Sequence, residues 1–581
     1  MKKLVYLYII IAGFTITGCS KDYLDRTPQS SISPDASFKT LKDLELFTNS
    51  FYDYLPSAEG VYNESVDNIV KTTLDDNLTG KRVVPVNGGG WSWSQLRNIN
   101  FFLDNCFNTL SETEAGPYAG VGRFFRAYFY FEKLKRFGDV PWYSKQLNPE
   151  DNELLMKARD PRTLVVDSIL ADLDYAIAKM SAVKSNERAT KWTALALKSS
   201  VALFEGTFRK YHKNLNLPDA DKLLQISADA AKQLIDGKQY QVYTGDGVDS
   251  YGALFRSVNS IGEEVILARK FSDALQIWHN VNYYTITASY GKPGLEKRLV
   301  NSYLMKDGTR FTDKPNYEKM TFSEEVKDRD PRLSQTIRTP GYKRIGGAAA
   351  LAPNFGNTIT GYQLIKFVGD VKYDNFNRSE NDMPVIRYAE VLLNYAEAKA
   401  ELGTLTQADL DLSLNLLRTR VGMPGLNLAN ANANPDSYLA ADYPLVTSAQ
   451  KGAILEIRRE RRIELVMETY RWDDILRWKC GQLVTRQFKG MYFPSVGKFD
   501  LDQDGKDDLW IYEGNKPTAS GIQLLKLGSE ILLENGTSGN VIINSHISKV
   551  FDEAKDYFYP LPLEDLQLNE NLDQNPGWDD N

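Results

Sequence analysis

The sequence predicts a mainly α-helical protein in which helical hairpins stack in series and carry long, loop-rich insertions with few short strands. Two observations predict it. Apolar residues recur at helical spacing through consecutive segments joined by short connections, and that periodicity fades over two long stretches, the first rich in Gly, Asn, Asp and Tyr. Cysteine is also scarce, so core burial rather than a disulfide framework must hold the fold.

Taken in order, Lys2 and Lys3 precede an apolar run from Leu4 to Ile16, followed by Thr17-Gly18-Cys19. A run this short suits a secretory signal, whereas a membrane-spanning helix needs about 20 apolar residues. The small residues before the cysteine make a lipobox. Residues 1–18 are therefore expected to be removed, leaving Cys19 as an acylated first residue; two or more acyl chains hold a protein durably on a bilayer. Residues 19–36, polar and carrying Pro28 and Pro34, read as anchor and tether. No later segment has enough uninterrupted apolar length to cross a bilayer.

Helical spacing then covers Leu96–Leu110 and Tyr118–Phe137, the second ended by Gly138 and Pro141. Pro161 opens a helix with Val165, Val166, Ile169, Leu170, Leu173, Ala176 and Ile177 on one stripe, and Trp192–Phe208 and Leu223–Leu234 follow. Helices so connected pack as antiparallel hairpins, an architecture similar to tetratricopeptide stacking, although no clean repeat of about 34 residues is present. Helical order resumes at Pro384–Leu402 and Ala408–Val421, and one long charged helix is expected from about Ala449 to Trp478. The layout is a single domain over 37–581, with a helical scaffold at about 37–240 and 384–480 and excursions at about 240–383 and 481–581. Loops on a rigid frame are where binding residues usually sit. Cys106 and Cys480 are expected to be free, buried thiols.

Net charge is −7 and the aromatic content is 12%. The mild acidity argues against nucleic acid as a partner. Aromatic faces are what sugar rings stack on, and the sharpest candidate is Gly88-Gly89-Gly90-Trp91-Ser92-Trp93. If that stretch is extended, Trp91 and Trp93 project from one face as a platform; the alternative buries both under the following helix. Hydrogen-bonding groups must accompany a platform, and Asp75, Asp76 and Asn77, with Trp278, Tyr283, Tyr284 and Tyr290, are the candidates for its rim.

A second constellation, Asp500-Leu501-Asp502-Gln503-Asp504-Gly505-Lys506-Asp507-Asp508, places carboxylates at positions one, three, five and nine around a glycine at six. That reproduces much of a calcium loop, with Asp500, Asp502, Asp504 and Asp508 as ligands and Lys506 offering its carbonyl. Ile511 stands where a calcium-binding hand has its bidentate Glu. The expected role is structural, and no cofactor is required. Glu456 with Arg459, Arg461 with Glu464, and Asp473 with Arg477 are spaced to pair along the charged helix, as an ion-pair network or as a docking patch. For catalysis there is little: His212, His279 and His546 are not spaced as a zinc pair, and neither a nucleophile elbow nor a phosphate loop is present.

Several stretches together resemble the SusD/RagB family of outer-membrane glycan-binding lipoproteins. These are Gly122-Arg123-Phe124-Phe125-Arg126-Ala127-Tyr128-Phe129-Tyr130-Phe131 with Arg136-Phe137-Gly138-Asp139-Val140-Pro141, then Arg329-Asp330-Pro331-Arg332, then Arg387-Tyr388-Ala389-Glu390-Val391-Leu392-Leu393-Asn394-Tyr395-Ala396-Glu397-Ala398. Arg418-Thr419-Arg420-Val421-Gly422-Met423-Pro424, the span Arg458–Trp478 and Asn575-Pro576-Gly577-Trp578 complete the set. The resemblance implies a lipid-anchored outer-membrane protein facing the cell exterior. It would capture an oligosaccharide or polysaccharide and cover a TonB-dependent β-barrel transporter as a hinged lid. It also implies that Trp from the Trp91–Trp93 region contacts glycan. The competing readings are a surface glycoside hydrolase and a structural lid that binds only its transporter.

Overall fold

The computed structural model describes residues 38–62, 64 and 66–579. The signal peptide, Cys19 and the tether lie outside the described residues. The scaffold helices are α1 Leu41–Asn49, α2 Ser94–Asn105, α3 Glu112–Phe137, α4 Arg162–Lys179, α5 Lys191–Tyr211, α6 Ala220–Asp236, α7 Tyr388–Glu401, α8 Lys451–Glu464 and α9 Arg471–Arg477. Their ends are chemically marked. Ser111 and Glu114 form a capping box at the start of α3, Lys135 and Arg136 sit at its C-terminus, and Gly138 at φ 74° stops it. Among the described residues no helix is long and apolar enough to cross a membrane.

Consecutive helices pack in series, α2 on α3, α3 on α4, α4 on α5, α5 on α6, and then α6 on α7 and α7 on α8. The stack thus continues unbroken across the long excursion between α6 and α7. Close approach of α5 to α6 needs Gly206, where a Cβ would lie 3.0 Å from the backbone nitrogen of Leu224. The excursion is pinned at its ends by an antiparallel pair, β2 Val265–Arg269 against β4 Met383–Arg387, and tied to the N-terminal segment by the short pair β1 Ile69–Val70 and β3 Gly294–Leu295. Two hydrophobic cores result, one inside the helical stack and a larger one under the excursions. Helix α7 divides them: Val391, Leu392 and Leu393 face the first, Ala396 and Ala400 the second.

Three helical expectations are corrected. The segment from Pro384 begins as strand β4, because residues 383–387 pair with β2, and helix starts only at Tyr388. The helix expected at 408–421 is two, Gln407–Leu412 and Leu414–Arg420, broken at Ser413. The long charged helix is also two, because Met467 and Thr469 adopt left-handed backbone at φ 62° and 71°. The carboxylate of Glu64 organises that break, accepting from the amides of Met467, Glu468 and Thr469. In the tail, β5 Phe488–Phe493 pairs with β9 Gly539–Ile543, and β6 Gly497–Phe499, β7 Leu509–Tyr512 and β8 Gln523–Lys526 form a second small sheet.

Most charges of α8 and α9 are buried and paired inside the protein. Glu456 meets Arg459 at 3.3 Å as expected, but Arg461 turns to Asp474, and Arg477 to Glu397 and Asp474. Asp473 pairs with Lys135 of α3 instead. Cys106 and Cys480 are free and buried, and burial pushes both thiols up to about 12.

Candidate functional site

The glycine run does not lead into an extended strand. Gly88, Gly89 and Gly90 all take positive φ, Trp91 N–H closes a turn onto the Gly88 carbonyl at 2.8 Å, and Trp93 at φ −117°, ψ 0° caps helix α2. The two rings therefore do not share a face. Trp91 is 5% exposed, with its ring edge-on to Phe137 at 4.9 Å and to Trp93 at 5.2 Å, the two indoles standing 84° apart. Trp93 is half-buried against Phe129 and Tyr143. The expected Trp91–Trp93 platform is corrected: helix formation at Ser94 turns Trp93 inward and the pair becomes part of the scaffold core. The glycines instead make room for cations. The Gly89 and Gly90 carbonyls accept from Arg136 and Lys133, and a Cβ at Gly90 would fall 2.7 Å from Arg136 Nε.

An aromatic shelf forms elsewhere, from the other predicted aromatics. A short helix, Val281–Ile286, carries Tyr283 and Tyr284, and the turn Ala288–Tyr290 brings Tyr290 back so that it stacks on Tyr284 at 4.8 Å with planes 30° apart. Phe376, 53% exposed, stands edge-on to Tyr283 at 5.6 Å and near Tyr284 at 6.4 Å. Trp278 lies beyond, its Nε1 donating to Asp273 at 2.8 Å and Arg378 over its face at 5.3 Å.

Polar pairing fixes this shelf. Asn280 and Asn377 exchange hydrogen bonds of 2.9 and 2.7 Å, and His279 bridges to Ser379 through its backbone and to the Asn381 carbonyl through its ring. The Asn280 amide also donates to Glu59. Sequence reading missed Phe376; its signal was a lone aromatic in the polar run from Asp374 to Asn381.

Asp75, Asp76 and Asn77 adjoin the shelf. Asp75 N-caps the short helix Asp76–Thr79. The Tyr290 phenol is pushed up first by burial and then by the nearby charges of Asp75 and Glu59. The same three residues rim a cleft of about 860 Å³ that runs inward between α3, α5, α7 and α9, reaching Arg136, Tyr470 and Trp472. Aromatic faces, rim carboxylates and a polar cleft thus form one neighbourhood.

The acidic loop is the tip of the β6–β7 hairpin. One carboxylate oxygen from each of Asp500, Asp502 and Asp504 lies within 4.8 Å of the others. Asp500 also accepts from the amides of Gln503 and Gly505, whose φ values are 62° and 86°. Asp508 is turned away to bind the amides of Leu501 and Asp502, and burial with the nearby Asp502 and Asp500 charges pushes its carboxyl up. The side chain of Lys506 pairs with Asp504 at 3.2 Å. The oxygen cage is thus three carboxylates, the donor set a hard cation takes. Of the histidines, His212 and His279 are buried and bonded to backbone carbonyls, and His546 is exposed.

The sequence profile described as the SusD family matches residues 264–578, more than half of the chain. This chain belongs to the SusD family. The matched region holds five of the motif stretches quoted above, all but the one on α3. Relatives extend the likeness to the N-terminal part. SusD-like protein P38 of Formosa agariphila is 24% identical, over 82% of this chain and 91% of its own. A SusD-like protein of Bacteroides ovatus is 23% identical, over 98% and 97%. Among solved structures, a SusD-like protein from Bacteroides fragilis superposes with TM-score 0.69 at 21% identity, covering 95% of this chain and all of its own. A SusD-like carbohydrate-binding protein from the same organism gives 0.67 at 20%, covering 92% and 99%. The mainly helical SusD fold is therefore that of this chain.

Proposed function

We propose that this SusD family protein captures an oligosaccharide or polysaccharide at the cell exterior and passes it to a TonB-dependent β-barrel that it covers as a lid. The observation that carries the reading is the half-buried shelf of Tyr283, Tyr284 and Tyr290, edged by the exposed Phe376, beside the Asp75–Asn77 rim. Stacked aromatics offer flat apolar faces to sugar rings, and rim carboxylates and amides discriminate hydroxyls by hydrogen bonding. The likeness to a carbohydrate-binding SusD-like structure supports the same class of ligand. Trp278 extends the shelf for a longer chain, and Trp93 packs in the helical scaffold against Phe129 and Tyr143.

The lipobox supports anchoring through Cys19 to the outer membrane. The protein carries out no bond cleavage in this scheme; a lid over a pore needs only to raise the local concentration of its cargo, with transport energy supplied by the partner. We assign a structural Ca²⁺ to Asp500, Asp502 and Asp504, with the Lys506 carbonyl and Asp508 completing the shell after a shift of the loop. Isothermal titration of the soluble chain, beginning after Cys19, against a glycan panel tests the reading, with reducing ends measured in the same samples. Binding without new reducing ends supports capture; new reducing ends favour the hydrolase, and no binding to any glycan favours the purely structural lid.

A further inference from the structure

The inner wall of the cleft carries more hydrogen-bond donors than the described residues satisfy. Its carboxylates are already committed. Glu132 and Asp473 both hold Lys135, at 2.8 and 2.6 Å. Glu390 accepts from Ser200 and Tyr470, Asp474 holds Arg461 and Arg477, and Glu64 binds three backbone amides.

Of the cations that line the same cavities, Arg136 and Lys133 have no carboxylate partner among the described residues, and Arg82 is only partly paired. Arg136 gives its Nε to the Gly89 carbonyl and lays its guanidinium 3.8 Å from the Tyr559 ring centre, yet no carboxylate pairs with it among the described residues. Lys133 is 8% exposed, donates to the Gly90 carbonyl and likewise has no acidic partner among them. Arg82 shares the Tyr559 ring at 4.5 Å; its side chain is 8% exposed, Nη2 is held by Asp556, and Nη1 is buried without a partner among the described residues. Trp472 Nε1 is likewise buried with no partner among the described residues. Arg136, Trp472 and Tyr559 line both the main cleft and an adjoining cavity of about 270 Å³ that includes Lys133. Unpaired buried donors are costly, and like charges side by side are more so, unless an acceptor arrives. Burial and the neighbouring Arg136 push the Lys133 ammonium down to about 8.

We propose that Arg136, Lys133, Arg82 and Trp472 form a subsite for an oxyanion, the carboxylate or sulfate group of an acidic sugar, so that the captured glycan is an acidic one. This rests on the glycan-binding reading above. The sugar chain lies along the aromatic shelf, Asp75 and Asp76 at the mouth accept from its neutral hydroxyls, and the acidic substituent reaches the cationic wall, where charge-assisted hydrogen bonds are strongest.

The test titrates the soluble chain with fragments of polygalacturonate, alginate and chondroitin sulfate, each beside its neutral counterpart, carboxyl-reduced and, for chondroitin, also desulfated, and with sodium sulfate alone. The expected result is at least one acidic fragment bound about tenfold or more tightly than its neutral counterpart, the gap closing in Arg136→Gln while neutral binding is kept. Trp472→Phe, which keeps the ring and removes the donor, should narrow the same gap and carries the test if Arg136→Gln does not fold. Equal affinity within every pair, or a gap untouched by both variants, overturns the subsite even if neutral glycans bind. Sulfate bound through Arg136 with no acidic preference assigns the wall to a free anion and overturns the substituent. No binding of any glycan overturns the capture reading itself.

Discussion

Arg420 Nη2 donates to both oxygens of Glu464, at 2.7 and 2.6 Å, with the two side chains fully buried. Arg332 and Arg387 reach the same carboxylate at 3.0 and 3.1 Å, and this ring of guanidinium groups holds it well below the usual carboxylate range despite its burial. Each of these arginines comes from a different motif stretch, so the motifs converge on the interior of the fold rather than on a ligand. Glu464→Gln leaves three guanidinium groups without their shared charge and should destabilise the protein by about 3–5 kcal/mol, measured by urea unfolding. A change under about 1 kcal/mol would show that the network does not hold the fold.

His212 should make the protein acid-sensitive. Its ring stacks on Phe208 at 3.9 Å and its Nε2 lies 2.8 Å from the Leu476 carbonyl, which can only accept, so the neutral ring donates there. Burial pushes it down to about 3. A depressed pKa means that the unfolded chain binds the proton first, so this contribution is complete above about 6.5 and is lost as pH falls from there towards 3. Unfolding free energy should carry a component of about 1.4 kcal/mol per pH unit in that window that His212→Gln removes. An unchanged slope in the variant would refute it.

Trp91 should behave as core. Trp91→Ala should cost about 3–5 kcal/mol of stability and leave the glycan affinity of the folded fraction unaltered. Chemical unfolding and titration on the same sample check this; a stable variant that had lost binding would restore the platform reading.

Calcium at millimolar concentration should raise the melting temperature, because a ligand that binds only the folded state stabilises it by mass action. Asp502→Asn should abolish the rise. A shift that persists in the variant, or none in the wild type, would remove the ion from the loop at Asp500, Asp502 and Asp504.

The helical stack was legible because amphipathic stripes and their stops, such as Ser111 and Gly138, are local. The break between α8 and α9 was not, since it depends on a partner far away in sequence: the kink at Met467 and Thr469 is held by Glu64. For the site, aromatic clustering identified Tyr283, Tyr284 and Tyr290, but the Trp91–Trp93 geometry rested on an extended backbone that helix α2 forbids. Phe376 joins the shelf through long-range contacts such as the Asn280–Asn377 clamp, which no spacing rule encodes.

The most direct test of glycan capture is titration of Tyr283→Ala/Phe376→Ala with the glycan that the panel identifies. Phe376 is exposed and Tyr283 half-buried outside the core, so their loss should leave the melting temperature nearly unchanged and weaken affinity about tenfold or more, at roughly 1 kcal/mol per ring. Affinity equal to that of the wild type in the folded double variant would contradict the account.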